Sequence, residues 1–495
     1  MNYLIIILFS VFLSLLAVLI TIKEKRRKKK YKDFPSYPTY PLIGNLSLLS
    51  FSLNGFLRKM AKVILPYRRL LFWVCHEPVM FLWKHDDIIT VSNQCNNRDL
   101  HHFVDEWIGF GIISAKPEDE WKKSRKVLNP AFTSEMTARY VEVFKKRSLA
   151  IVDWIKPAAD SGKIIDIFQL AMKNNIYIIV ENTTGVAMQN MGDKGKEYGD
   201  VMEEATFAIL ERIITPWLHP RFMYNAYLKL TGKIKTVNKF HDLPAKILKS
   251  RLNEYRNKSG SSFEDADSKT IIDLVIKGGV HESGFTETRM KDELLHIIIA
   301  AIETTSLTIS SILLMLAIHQ DVQQKVYEEV AEVFRGGNTL TPDHLMEGLK
   351  YLEQVVHETI RRYSPVSFTT RRLRKDTTLK DNTVIPSGTQ VVYCLHFANN
   401  DPELYENPQI WDPERFSEEA VQKRPKGSFM AFGSGPRSCI GIKYSLQSIK
   451  TQLTYILYNY HVSTNVTELR EDQLEMDLNI RSKIGYPIKF TRRQP

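Results

Sequence analysis

Cysteine is scarce in this chain. Cys75, Cys95, Cys394 and Cys439 are the only four in 495 residues, and no two of them form a C-x-x-C pair. Such spacing excludes a disulfide framework, a zinc ribbon and the runs that hold iron–sulfur clusters, so any metal chemistry by sulfur rests on a single thiolate. A G-x-G-x-x-G run at a strand-to-helix turn is also missing, as is any flavin motif, which leaves the chain without a dinucleotide site of its own. Internal repeats, long linkers and a second shift in composition are absent, so one folded domain is expected. Basic charge is local rather than general: residues 23–32, KEKRRKKKYK, hold a net +7 of the formal +11, leaving +4 for the rest. A short basic run beside an apolar segment marks a membrane border and not a nucleic-acid footprint.

What is present begins at the N-terminus. Residues 3–22, YLIIILFSVFLSLLAVLITI, carry no charge, and as a helix they would span about 30 Å, the hydrocarbon thickness of a bilayer. A cleaved signal peptide puts its positive charge ahead of a shorter apolar core, whereas here the charge follows the core. The segment is expected to be an uncleaved single-pass anchor, with a cleaved signal as the alternative. The positive-inside rule then places the N-terminus in the lumen and the basic run, with everything after it, in the cytosol. The expected layout is an anchor over 1–22, a basic and Pro-rich linker over 23–45 containing Pro35, Pro38, Pro41 and Gly44, and a folded domain over 46–495.

From about residue 55 the dominant pattern is helical. The runs 290–318, 319–335 and 347–363 fit helices, the last with apolar residues at three- and four-residue spacing. Short β-like stretches lie over 366–395, punctuated by Asp381-Asn382 and Pro386-Ser387-Gly388, and over 476–491. Residues 257–269 read as a loop. The expected fold class is mainly α with small β-sheets (α+β).

The most informative segment is 429–441, FMAFGSGPRSCIG, where Phe432, Gly435, Arg437, Cys439 and Gly441 fall at the spacing F-x-x-G-x-R-x-C-x-G. Five such positions coincide by chance in a chain of this length with a probability on the order of 10⁻⁴ at average residue frequencies. An anionic sulfur needs a tight loop of this kind: glycines let the backbone approach a flat cofactor and expose amide N–H groups to the sulfur, tuning its donor strength. The pattern is the haem-binding signature of the cytochromes P450, and from about residue 35 onwards the chain resembles that family. The resemblance implies the P450 fold and haem b (iron protoporphyrin IX), with Cys439 as axial thiolate, Arg437 on a haem propionate and Phe432 shielding the sulfur. Thiolate donation favours cleavage of an O–O bond. The alternative for one cysteine is a small buried hydrophobe.

Other motifs follow in the family's order. Glu358 and Arg361 form an E-x-x-R pair that helical spacing puts on one face; alone, such a pair is a surface ion pair worth about 0.3 kcal/mol. In the family it joins the arginine of a P-E-R-F-like stretch, here Pro413-Glu414-Arg415-Phe416, in a network that fixes the cysteine loop. Trp121 and Arg125 match W-x-x-x-R, an i, i+4 pair suited to propionate charge. Arg371 looks like the third propionate-binding arginine, the alternative being that it or Arg372 caps a strand at the surface. Residues 300–305, AAIETT, resemble the A-G-x-D/E-T-T oxygen-binding segment, with Ala301 in place of Gly. The Glu303–Thr304 pair lies in a helix too apolar to host a charge without reason. It is read as the catalytic relay, a hydroxyl that orients water and a carboxylate that draws protons from solvent; in the alternative, Thr304 merely bends the helix by bonding back to a carbonyl.

GLKYLEQVVHETIRRYSPV, LAIHQDVQQKVYEEV and NPQIWDPERF carry a closer likeness to the microsomal family-4 clan. Its members often hydroxylate fatty-acid chains or similar lipophiles, and some tether the haem through a Glu four residues before the Thr. That position is Ala300 here, so no such ester can form. The resemblance implies a monooxygenase of the endoplasmic reticulum membrane that inserts one oxygen atom from O2 into a fatty acid, terpenoid, steroid or xenobiotic. Electrons would come from NADPH through NADPH–cytochrome P450 reductase, with cytochrome b5 as an additional partner. Lys122, Lys123 and Lys126 beside Arg125, together with Lys443, are expected to form a basic docking face, the alternative being an ordinary solvated face. The substrate pocket would draw on Phe103, Trp107, Ile299, Ala300, Val366, Phe368 and Leu478. Two competing functions remain: a haem-thiolate isomerase or dehydratase, with little use for Glu303 and Thr304, and a haem sensor or carrier that keeps Cys439 alone.

Overall fold

The computed structural model describes residues 11, 18–19, 21–22, 25–40, 43–45, 68–74, 77–98, 103–185, 194–257, 270–476 and 479–493. Most of the expected anchor, most of the 257–269 loop, Cys75 and Leu478 lie outside the described residues. The chain forms two compact units. The first comprises Met1–Leu100, Phe368–Ala398 and Ser434–Arg437, and the second His101–Ser367, Asn399–Gly433 and Ser438–Pro495.

In chain order the strands are β1 (Arg69–Val74), β2 (Glu77–Leu82), β3 (Ile164–Asp166), β4 (Phe368–Arg372), β5 (Thr377–Thr378), β6 (Val384–Ile385), β7 (Gln390–Cys394), β8 (Tyr460–Ser463), β9 (Leu474–Met476), β10 (Ile480–Ser482) and β11 (Pro487–Arg492). The helices that matter for function are α1 (His85–Gln94), α2 (Glu118–Leu128), α3 (Ser134–Ser161), α4 (Ile167–Thr184), α5 (Lys194–Ile214), α6 (Arg221–Leu230), α7 (Ile234–Asn257), α8 (Glu287–Ile318), α9 (Gln320–Phe334), α10 (Lys350–Arg362) and α11 (Ile442–Asn459).

The first unit is built on a four-stranded sheet in the order β1-β2-β7-β4. β1 and β2 form an antiparallel hairpin, β2 runs parallel to β7, and β7 is antiparallel to β4. The hairpin departs from the helical expectation for this region. Its strands, RLLFWV and EPVMFL, are buried along most of their length, so the apolar–polar alternation that marks a half-exposed strand is missing. The basic run also ends in this unit. Arg27 pairs with Glu77 at 3.4 Å, Lys28 donates to Thr39 at 2.8 Å, and buried Tyr31 shares a 2.7 Å hydrogen bond with Thr389. This part of the linker is therefore packed on protein.

The second unit is mainly helical. α8 packs on α4, α7, α10 and α11, and α11 packs on α3; small sheets β3-β11-β8 and β9-β10 flank them. Thr286 caps α8 by accepting from the Arg289 amide at 3.2 Å. Between Asp292 and Ala317 every residue of α8 is buried except Ile299, Ala300, Ala301 and Thr304. A helix apolar on all sides is a core helix or a membrane span. α8 is the one described helix long and apolar enough to cross a bilayer, and 78% of its apolar window is buried inside the protein, which makes it a core helix. The runs read as helices over 290–318, 319–335 and 347–363 correspond to α8, α9 and α10.

Candidate active site

Cys439 sits in the loop that leads into α11. Its amide donates to the Phe432 carbonyl at 2.9 Å, closing the turn. Gly435 has φ +72, and a Cβ there would lie 2.7 Å from the Ser92 carbonyl oxygen, so only glycine fits. Among the described cysteines, Cys95 and Cys394 are buried while Cys439 is exposed. The reading of Cys439 as a buried hydrophobe therefore fails. Gly441 lies beside the sulfur: a Cβ there would sit in ordinary contact with Sγ, at 3.9 Å. The Phe432 ring meets Phe429 edge-on at 6.1 Å, and Phe429 in turn meets Phe416 at 5.0 Å and His357 at 5.2 Å. This aromatic string wedges the loop against α10 and the Pro413–Phe416 turn.

The structure brings Glu358, Arg361 and Arg415 together. Arg361 grips Glu358 with two bonds of 2.6 and 2.8 Å, both side chains wholly inaccessible, and donates further to the carbonyls of Asn399 and Pro408 and to Asn400 Oδ1. Glu358 also accepts from the Asp412 amide at 2.9 Å, and Arg415 lies 3.6 Å away. Burial pushes the Glu358 carboxyl up in pKa, while Arg361, the Asp412 amide and Arg415 oppose that shift. Asn399 carries the network onward. Its Nδ2 donates to Ser364 and its Oδ1 accepts from the Met430 amide at 2.8 Å, at the start of the cysteine loop.

On α2, Trp121 is buried and Arg125 donates to the Ser438 carbonyl at 3.0 Å, next to Cys439. Burial pulls the Arg125 pKa down and the neighbouring Cys439 acts against it. The lysines expected to form a docking face are partly neutralised from their own helix: Lys122 pairs with Glu118 at 3.0 Å and Lys123 with Glu120 at 2.7 Å, while Lys443 donates to Ser134.

In the first unit, Arg371 is 1% exposed, which removes the surface-cap alternative for it. Its Nη1 donates to the Thr370 carbonyl at 2.8 Å, its guanidinium lies over Tyr393, and its Nε is buried without a hydrogen-bond partner. Burial pulls its pKa down. An orphaned donor on a buried guanidinium is what an anionic group would satisfy. Arg437 is also buried and donates to the Asn96 carbonyl at 2.9 Å.

The uncovered stripe of α8 holds Ile299, Ala300, Ala301 and Thr304. The Thr304 hydroxyl donates back to the Ala300 carbonyl at 2.7 Å, and this bond is in place whether or not the residue also serves chemistry. Glu303, beside this stripe, is buried and ion-paired with Arg481 of β10, whose second nitrogen lies 3.5 Å from Glu203 on α5. Of the other expected pocket residues, Phe103 packs on the His219 ring at 4.5 Å. Trp107 is fully buried and donates to the Tyr224 hydroxyl at 2.7 Å. Val366 forms an isolated bridge with Asn479, and Phe368 opens β4 in the first unit.

Sequence reasoning missed the polar groups on the first half of α8. His296 has no exposure, and burial pushes its pKa down to about 4. The unfolded chain takes up this proton near pH 6.5 and the folded chain does not until about pH 4. Stability from this site is therefore complete above pH 6.5 and falls as pH drops through that window, by about 3 kcal/mol in total. His296→Gln is expected to flatten the slope of unfolding free energy between pH 7 and pH 4.5 relative to wild type in urea titrations; identical slopes would contradict a neutral, buried imidazole.

The residues fit a haem. The second unit offers an outward thiol in a loop closed by the Cys439 amide on the Phe432 carbonyl, and a core helix uncovered along one stripe. Comparison with known proteins agrees. The family profile "Cytochrome P450" matches residues 35–488. Cytochrome P450 4g15 of Drosophila melanogaster is 24% identical over 495 residues, covering 85% of each chain. Cytochrome P450 4V2 of Homo sapiens is 25% identical, covering 91% of this chain and 88% of its own. The haem domain of a cytochrome P450DA mutant superposes with a TM-score of 0.77 at 17% identity, covering 93% of this chain and 98% of that one, which shows the fold. The chain belongs to the cytochrome P450 family, whose members are haem-thiolate monooxygenases.

Proposed function

We propose that this protein is anchored in the endoplasmic reticulum membrane by residues 3–22 and inserts one atom of O2 into a lipophilic substrate, using NADPH electrons passed through a partner reductase. The observation that carries the reading is the uncovered stripe of α8, three apolar side chains and one hydroxyl in an otherwise covered core helix. Hydrocarbon placed there is held by burial, about 25 cal/mol per Å², and offers no polar group that would compete for Thr304.

Haem bound through Cys439 supplies the activation of dioxygen and the transfer of one of its atoms to substrate. The chain's own residues do the rest. Arg371, Arg437, Trp121 and Arg125 are assigned to the propionates, and Phe432 to shielding the sulfur from water. Reduction of dioxygen consumes two protons. The Thr304 hydroxyl can orient water by turning from Ala300, and Glu303, linked through Arg481 to exposed Glu203, provides a charged path towards solvent. The apolar run followed by basic residues supports the membrane placement.

The test is reconstitution with NADPH–cytochrome P450 reductase and NADPH under 18O2, with a panel of fatty acids, terpenoids and steroids. One labelled oxygen per product is expected. Rearrangement of a lipid peroxide without reductase, and no labelled product from the panel, would instead favour an isomerase.

A further inference from the structure

Residues 109–114 join the short helical turn Asp105–Ile108 to the segment leading into α2, and they form neither helix nor strand. Three of their backbone amides are bonded to side chains on α8. The Phe110 amide donates to Asp292 Oδ2 at 2.8 Å, the Ile112 amide to Glu293 Oε2 at 2.7 Å, and the Ile113 amide to His296 Nδ1 at 3.0 Å. His296 Nε2 bonds the Ile108 carbonyl at 2.9 Å. An amide can only donate, so Nδ1 accepts and Nε2 carries the proton, and both ring nitrogens are committed to the loop. Two glycines permit this approach: a Cβ on Gly109 would collide with the Asp292 carboxylate, and one on Gly111 would lie 2.7 Å from His296 Nδ1.

The cluster reaches further. Glu293 also accepts from Ser124 of α2 at 2.5 Å and from Arg289 at 2.9 Å. Ser124 precedes Arg125, the residue bonded to the carbonyl beside Cys439. Asp292, Glu293 and His296 are all buried. An apolar loop such as Phe-Gly-Ile-Ile would pack on an apolar helix without them. Three buried polar groups that grip backbone atoms fix where the loop lies and leave the half-buried side chains of Ile112 and Ile113 without that duty. His296 precedes Ala300 by one helical turn, about 6 Å, so the gripped loop ends where the uncovered stripe begins.

We propose that Asp292, Glu293 and His296 are positioning residues that clamp the backbone of residues 108–113 to α8, making this loop a fixed wall at the N-terminal end of the uncovered stripe. The inference rests on the reading of that stripe as the substrate side of the haem.

The test uses the full-length haem-loaded protein and the variants His296→Ala, His296→Asn and Asp292→Asn. Three quantities are read: amide hydrogen exchange over residues 108–114, the association rate of 4-phenylimidazole with the ferric haem, and the spectrum of the reduced, carbon monoxide-bound protein. His296→Ala is expected to speed exchange at 108–114 selectively and to raise the association rate at least tenfold, with the carbon monoxide band unchanged. His296→Asn, which keeps an acceptor near Nδ1, is expected to fall between it and wild type. Unchanged exchange and association in His296→Ala, or exchange accelerated evenly across the domain in every variant, would overturn the clamp. A wild type without a thiolate-type band sinks the haem reading alone, and the exchange comparison then still decides the clamp.

Discussion

Arg361→Ala is expected to yield little or no haem-loaded protein. The substitution leaves Glu358 buried without its bidentate partner and strips donors from three backbone carbonyls, those of Asn399, Pro408 and Ile410, and from Asn400. Breaking a buried pair by removing one side costs about 3–5 kcal/mol, against a total stability of about 5–15 kcal/mol for a folded domain. The damage falls on the cysteine loop, because Asn399 passes the network to the Met430 amide. Arg361→Lys is expected to rescue only weakly, since a point charge cannot reach Glu358, Asn399, Asn400 and Pro408 together. Haem content per chain and urea unfolding midpoints give the comparison. Wild-type haem content in Arg361→Ala would mean that the network does not hold the loop.

Glu303→Gln and Thr304→Ala carry the second large effect. Each is expected to lower NADPH-dependent product formation by about 10²-fold or more, the contribution of a positioned proton donor, while haem content stays at the wild-type level and NADPH oxidation continues into reduced oxygen species. Arg481→Ala separates two accounts of Glu303. If the ion pair holds the carboxylate ready for proton transfer, Arg481→Ala falls towards the level of Glu303→Gln; if the pair is only packing, coupling of NADPH to product is preserved. Full coupled turnover in Glu303→Gln would remove the relay from the mechanism.

The parts of the site that were legible in the sequence are those where chemistry demands residues at fixed short spacing. Cys439 with its glycines and Glu358 with Arg361 are of this kind, because one loop or one helical turn sets their geometry. Contacts across long separations left no such mark. Nothing in AAIETT announces that Glu303 meets Arg481, and nothing around Met430 announces Asn399. Arg371 and Arg372 are adjacent in a strand and so face opposite sides. The structure buries the first and pairs the second with Glu77, a choice that composition could not make. The β1–β2 hairpin was hidden by burial on both faces, and the clamp on α8 by the long chain separation between Asp292, Glu293 and His296 and the loop amides they hold. The basic face over α2 was legible as charge, but not its pairing with Glu118 and Glu120 one turn earlier.

The most direct test of the account is the absorption spectrum of the dithionite-reduced, carbon monoxide-bound protein, recorded for wild type beside Cys439→Ser. A strongly red-shifted Soret band in wild type, lost in Cys439→Ser, is the predicted result. A histidine-like band in wild type, or the same red-shifted band in both proteins, would contradict Cys439 as the haem ligand and with it the mechanism built on that bond.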